Sequence, residues 1–114
     1  MIRRTKAALG CAALLATALL PHRAVAAPPA GHKTYVIVID KMKFGPAPAG
    51  LRPGDTIKWV NRDIFRHTAT ARDRSFNVNL MPGKSATMTL ERAGTLPFYC
   101  IFHPGMRGQL VVAR

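Results

Sequence analysis

From residue 35 onward, apolar residues come in short alternating or β-branched runs, separated by breaks that carry glycine and proline. Tyr35-Val36-Ile37-Val38-Ile39 suits a strand, because branched side chains pack well on a pleated surface. Met42 and Phe44 continue the pattern after a turn at Asp40-Lys41, and 45–50 is a loop rich in proline and glycine. Pro53-Gly54-Asp55 marks a further turn, after which Thr56-Ile57-Lys58-Trp59-Val60 alternates as a half-buried strand does. Residues 61–66 are polar and read as a connection to a short strand over 67–71. Residues 72–75 form a charged turn, 76–80 is ambiguous, and Pro82-Gly83 leads into an alternating strand over 85–90. Ala93-Gly94 turns the chain into a strand over 95–100, and 109–112 closes the series. No stretch after residue 26 shows a 3.6-residue period with caps. Six to eight short strands with turns between them predict an all-β domain, either a small β-sandwich or a Greek-key barrel.

The first 26 residues follow a different logic. Arg3, Arg4 and Lys6 precede an apolar stretch from Ala7 to Leu20, and Ala24-Val25-Ala26 supplies small residues suited to signal peptidase. The apolar stretch is short for a membrane-spanning helix, which needs about 20 residues. The pattern predicts a cleaved signal peptide over 1–26, a flexible segment over 27–33 and one domain over 34–114, exported to the periplasm. A retained N-terminal anchor is the alternative; once the signal is cleaved, no integral membrane segment remains. Arg3-Arg4 also raises twin-arginine export, but Thr5-Lys6 continues that motif poorly and favours general secretion.

Cleavage changes the charge and the cysteine chemistry. Arg3, Arg4, Lys6 and Arg23 leave with the signal, so 13 of 17 basic residues face five acidic ones and the formal charge falls from +12 to +8. Such a field steers acidic partners. Nucleic acid fits poorly, since neither a binding motif nor interleaved aromatic and basic residues are present. Cys11 departs too, which leaves Cys100 as the only thiol. An unpaired cysteine in an oxidising compartment needs an occupation, and ligation to a soft metal supplies one.

Cys100-x-x-His103-x-x-Met106 places a thiolate, an imidazole and a thioether within seven residues, and His67 stands upstream on a separate strand pattern. Two histidines, one cysteine and a weak axial methionine are the ligand set of a blue-copper electron-transfer site. Cys100 would bind as thiolate, His67 and His103 as neutral imidazoles, and Met106 as the long axial contact. Pro104 and Gly105 suit the tight return that brings His103 and Met106 back towards Cys100. Zinc is the chemical competitor, but structural zinc sites use cysteine and histidine, whereas thioethers select copper. The Cys-x-x-Cys-His of haem attachment is absent. Four protein donors leave no open position for substrate, which argues for a carrier and against an enzyme.

These residues resemble the cupredoxin family, specifically its amicyanin and plastocyanin group, from Tyr35 to Val112. The matching stretches are Pro53 through Asn61, Asp63 through His67-Thr68, Pro82-Gly83-Lys84-Ser85, and Gly94 through Cys100-Ile101-Phe102-His103-Pro104-Gly105-Met106 with Gly108. The two residues between His103 and Met106 resemble the short amicyanin loop. The resemblance implies a Greek-key β-sandwich of about seven to eight strands, one type 1 copper, and His67, Cys100, His103 and Met106 as its ligands. One position departs: the residue after the upstream ligand is often asparagine in this group, where it braces the cysteine loop, and here it is Thr68.

The leading expectation is a monomeric periplasmic electron carrier that exchanges electrons with an acidic redox partner such as a c-type cytochrome or a dehydrogenase. His103 would be the electron port, with Pro46, Pro48, Ile101 and Pro104 as candidate docking residues. A periplasmic copper-binding or delivery protein of the same fold is the alternative. A small oxidase is a third reading, weakened by the lack of a second histidine cluster or a nucleophile–base set.

Overall fold

Branched and aromatic side chains divide eight strands between two sheets. In the computed structural model, β1 (Thr34–Asp40), β2 (Lys43–Phe44), β3 (Thr56–Asn61) and β6 (Ser85–Thr89) make one sheet, in the order β2-β1-β3-β6. The other contains β4 (His67–Ala71), β5 (Asn77–Leu80), β7 (Gly94–Tyr99) and β8 (Arg107–Val112), in the order β5-β4-β7-β8. The structure describes residues 8–16, 18, 20–21 and 31–114. The basic residues at the N-terminus, the cleavage site at Ala24-Val25-Ala26 and 27–30 of the flexible segment lie outside the described residues. Among the described residues there is no helix long and apolar enough to cross a membrane.

The expected all-β sandwich is therefore observed, with an inner face built by alternation. Ile37 and Ile39 of β1, and Ile57 and Trp59 of β3, are buried against Ala69, Leu80, Phe98 and Leu110 of the other sheet. Val36 and Val111 point outward. Phe98 anchors the aromatic core, in edge contact with Phe44 at 4.8 Å and Trp59 at 5.2 Å between ring centroids. Gly108 pairs with Phe98 across β7 and β8, and the ring lies where a side chain would go: a Cβ there would sit 2.4 Å from Phe98 Cζ.

Pairing is antiparallel except between β1 and β3, which run parallel from Thr34↔Thr56 to Ile39↔Asn61. After β1 the chain turns through Lys41 and Met42, two successive residues at φ 50° and 60°. Paired left-handed residues give a two-residue hairpin the twist its strands require, normally with asparagine or glycine. The chain crosses between the sheets after Asn61, and this crossing, with the loop after β7, forms one end of the sandwich.

Several boundaries differ from the sequence pattern; β7 ends at Tyr99, which leaves Cys100 just beyond the strand. Asn61 is the buried last residue of β3 rather than the start of a polar loop; its amide donates to Phe65 O (2.8 Å) and Leu80 O (3.0 Å), clamping the crossing. The ambiguous stretch resolves as β5, because Asn77–Leu80 pairs with β4. The last strand starts at Arg107, where pairing with Tyr99 begins.

Candidate metal centre

β4 starts where β7 ends, and the site occupies that corner. Thr70 pairs with Tyr99 and Ala71 with Phe98, so the chain leaving β7 runs directly beside Thr68 and His67. His67 and Cys100 are fully buried, whereas His103, on the loop between β7 and β8, is half-buried. Cys100 Sγ lies 3.7 Å from His67 Nδ1 and 3.7 Å from His103 Nδ1, and the two nitrogens are 3.2 Å apart. Metal bonds of about 2.0–2.3 Å allow one ion to touch all three atoms at such separations. The donor chemistry fits as well, since a thiolate and two imidazoles with a nearby thioether suit copper.

Met106 is tied to the same corner through its backbone. Cys100 N–H donates to Met106 O at 3.0 Å, and Met106 N–H donates to His103 O at 2.8 Å. Its side chain is buried in the core cluster that contains Cys100. The loop thus closes through hydrogen bonds of its own. Gly105 contributes without a positive φ, so the return needs no left-handed residue.

Thr68 supplies a brace despite the departure from asparagine. Its backbone N–H points at Cys100 Sγ (3.4 Å), and its hydroxyl accepts Ile101 N–H at 2.9 Å. Thr70 Oγ1 lies 2.9 Å from Thr68 Oγ1 and 2.8 Å from Asn77 Oδ1. With Asn77 Oδ1 as terminal acceptor, the single proton of each hydroxyl runs one way, from Thr68 to Thr70 to Asn77. Chained bonds of this kind polarise one another, and contacts behind a ligand fix its orientation.

His67 is held from behind by a residue to which the sequence pattern gave no role. Asp63 Oδ2 is 3.0 Å from His67 Nε2 and accepts Met42 N–H at 2.9 Å, while Oδ1 accepts Ile64 N–H at 2.8 Å. The His67 hydrogen bond, followed by that from Met42, holds the Asp63 carboxyl below its ordinary range, against the raising effect of burial. The one legible signal was an acidic residue four positions before the upstream histidine.

Around His103 the surface is apolar and basic. The Phe65 ring lies 6.1 Å from the His103 ring, and Ile64, Phe65, Ile101 and Phe102 are all exposed. Arg66 covers Phe102, its guanidinium 4.7 Å from the ring centroid, and bonds Asn79 Oδ1 at 2.8 Å. Of the expected docking prolines, Pro46 and Pro104 are exposed and Pro48 is half-buried. The aromatic neighbours Phe65 and Phe102 were not among the expected docking residues.

Residues 10–112 match the cupredoxin-like domain family. This chain belongs to the cupredoxin-like family. Among cupredoxins it is similar to amicyanin of Paracoccus denitrificans, 31% identical over 124 residues that cover 97% of this chain and 95% of the relative. It is also similar to amicyanin of Paracoccus versutus, 28% identical over 83 residues, 68% of this chain and 63% of the relative. Among solved structures, the reduced Cu(I) form of an amicyanin variant at pH 4 aligns with a TM-score of 0.62 and 29% identity, covering 70% of this chain and 82% of that one. An oxidised amicyanin variant aligns with a TM-score of 0.64 at 28% identity and the same coverage. The resemblance read from the motifs is thereby borne out at family level, and an electron-transfer role with it.

Proposed function

We propose that this cupredoxin is a periplasmic blue-copper electron carrier whose copper is held by His67, Cys100, His103 and Met106. The observation that supports it most is the convergence of two imidazole nitrogens on one buried sulfur, 3.7 Å from each, with only His103 approaching the surface. Copper bound in such a set supplies a one-electron couple. The chain's own residues hold the donors in place: β4 fixes His67, the Thr68 brace fixes Cys100, and the loop's backbone bonds fix His103 relative to Met106. A carrier benefits from donors that stay still, because rearrangement slows electron exchange. Four donors leave no position for a substrate, which separates a carrier from an enzyme.

His103 is the electron port in this reading. Ile64, Phe65, Ile101 and Phe102 provide an apolar contact surface beside it, and Arg66 flanks them. The basic balance of the chain favours an acidic redox partner, such as a c-type cytochrome or a dehydrogenase. Leu9, Leu14, Leu15 and Leu20 are exposed and take no part in the core, which agrees with a leader that is removed on export.

The test is the copper-loaded protein. An intense visible thiolate-to-copper(II) band and a reversible couple at an electrode are expected. Absence of the band rejects the copper assignment, and transfer of copper to an acceptor without a reversible couple replaces the carrier with a delivery role.

A further inference from the structure

We infer that Arg72 and Arg74, at the turn between β4 and β5, form with Tyr99 a docking site for paired carboxylates of an acidic protein partner. Thr70, Arg72, Arg74, Asn77, Tyr99 and Ile101 line an open hollow of about 460 Å³ on the flank of the second sheet, and no acidic residue lines it. Arg72 N–H donates to Pro97 O at 2.9 Å, and its guanidinium lies over the Tyr99 ring, 4.7 Å from the centroid. Stacking fixes the plane of the fork while its N–H edge stays open to a carboxylate, which it grips through two parallel bonds. Among the described residues, neither arginine forms an ion pair. Asn77 Oδ1 takes the Thr70 hydroxyl, which leaves the amide nitrogen of that side chain as a further donor.

Arg74 holds its charge at a conformational cost. Its φ of 64° is left-handed, a region that glycine or asparagine enters far more easily, and its N–H closes the turn onto Ala71 O at 3.0 Å. Local strain of this kind collects at binding sites. Asp73, between the two arginines, is committed elsewhere: Oδ2 bonds Arg92 at 2.8 Å, and Oδ1 accepts Ser75 N–H at 2.9 Å. Unpaired arginine over an aromatic ring, with apolar Ile101 alongside, is the composition of a protein interface rather than of ordinary solvated surface. Ile101 also belongs to the exposed surface around His103, so a partner seated over the ligand loop continues onto the hollow. That the partner is a redox protein rests on the carrier reading; recognition of carboxylates by these residues needs no metal.

The probe is octaglutamate, titrated into nitrogen-15-labelled protein at low and high salt, first in the reduced copper-loaded form and then metal-free. Saturable, salt-sensitive binding is expected, with the largest amide shifts at 72–77, Tyr99 and Ile101 in both forms. Arg72→Gln/Arg74→Gln should weaken it by on the order of tenfold. Lys58→Gln/Lys84→Gln removes the same charge at exposed positions on β3 and before β6, and should weaken it by no more than about twofold. Arg74→Gly should bind less tightly yet melt at the same temperature or higher, because glycine relieves the left-handed residue. A turn residue without a binding role would melt likewise and bind unchanged. Equal loss in the two double variants, or shifts centred elsewhere, overturns the inference. So does an arginine pair needed for phosphatidylglycerol vesicles while octaglutamate goes unbound. A protein without the blue band rejects copper instead, and the metal-free titration still decides the docking site.

Discussion

The two histidines of the site differ in almost everything except their side chain. His67 opens a strand, is fully buried and has the Asp63 carboxylate behind its Nε2. His103 sits on a loop of seven residues counted from Cys100 to Met106, half-buried, with exposed aromatic and branched residues beside it. One is fixed inside the sandwich and the other lies within reach of the surface. Rigidity and access are opposite requirements, and the fold meets them by assigning each to a different segment.

The comparison is broken most completely at the donor both imidazoles share. Cys100→Ser should abolish the blue band of the copper-loaded protein while leaving a folded β domain, checked by absorption and circular dichroism. The two histidines should then separate in a rescue experiment. His103→Gly should regain the band when imidazole is added, since the lost ring borders solvent, whereas His67→Gly should not, because its ring lies inside the sandwich. Equal rescue of both variants would erase the distinction.

Smaller changes sharpen the contrast. Thr70→Val removes the hydroxyl that links Thr68 to Asn77 and leaves buried polar groups short of a partner, an expected loss of about 1–2 kcal/mol in denaturant unfolding of the metal-free protein. At the far end of the sandwich, Asp55 accepts Lys33 N–H and Arg52 N–H, and these bonds hold its carboxyl below the ordinary value. A carboxyl lowered on folding adds stability above its unfolded pKa and loses it as pH falls through the folded one. Thermal midpoints of metal-free protein should therefore drop on the acid limb below about pH 4, and that drop should be shallower in Asp55→Asn. The smallest effect belongs to the surface beside His103: Phe102→Ser, at an exposed position, should change stability by no more than about 0.5 kcal/mol.

The candidate donors were legible as a set because three of them fall within one short segment, and the Cys-x-x-His-x-x-Met spacing does not depend on strand pairing. Strand positions were legible from alternation. The partnerships were not. Nothing in the runs around Tyr35 and Ile57 says that they pair in parallel, since that depends on where the intervening loop returns. Asn61 and Asp63 looked like polar loop residues because burial at a sheet crossing is a property of the assembled fold. Ile64 and Phe65 were passed over inside a stretch read as a polar connection, and Phe102 inside the ligand loop, although the crossing and the loop expose all three. Thr68 shows a subtler limit, as its hydroxyl and backbone supply the brace that the absent asparagine made doubtful.

The parallel register of β1 and β3 also sets a direction for the whole molecule. Both strands begin at one end, at Thr34 and Thr56, and finish at the other, where Ile39 faces Asn61 beside the crossing to His67. A strand of seven residues spans roughly 20 Å. Whatever precedes Thr34 therefore joins the domain at the pole opposite the histidines. Were this chain tethered to a surface through its N-terminus, His103 would face outward, towards arriving partners.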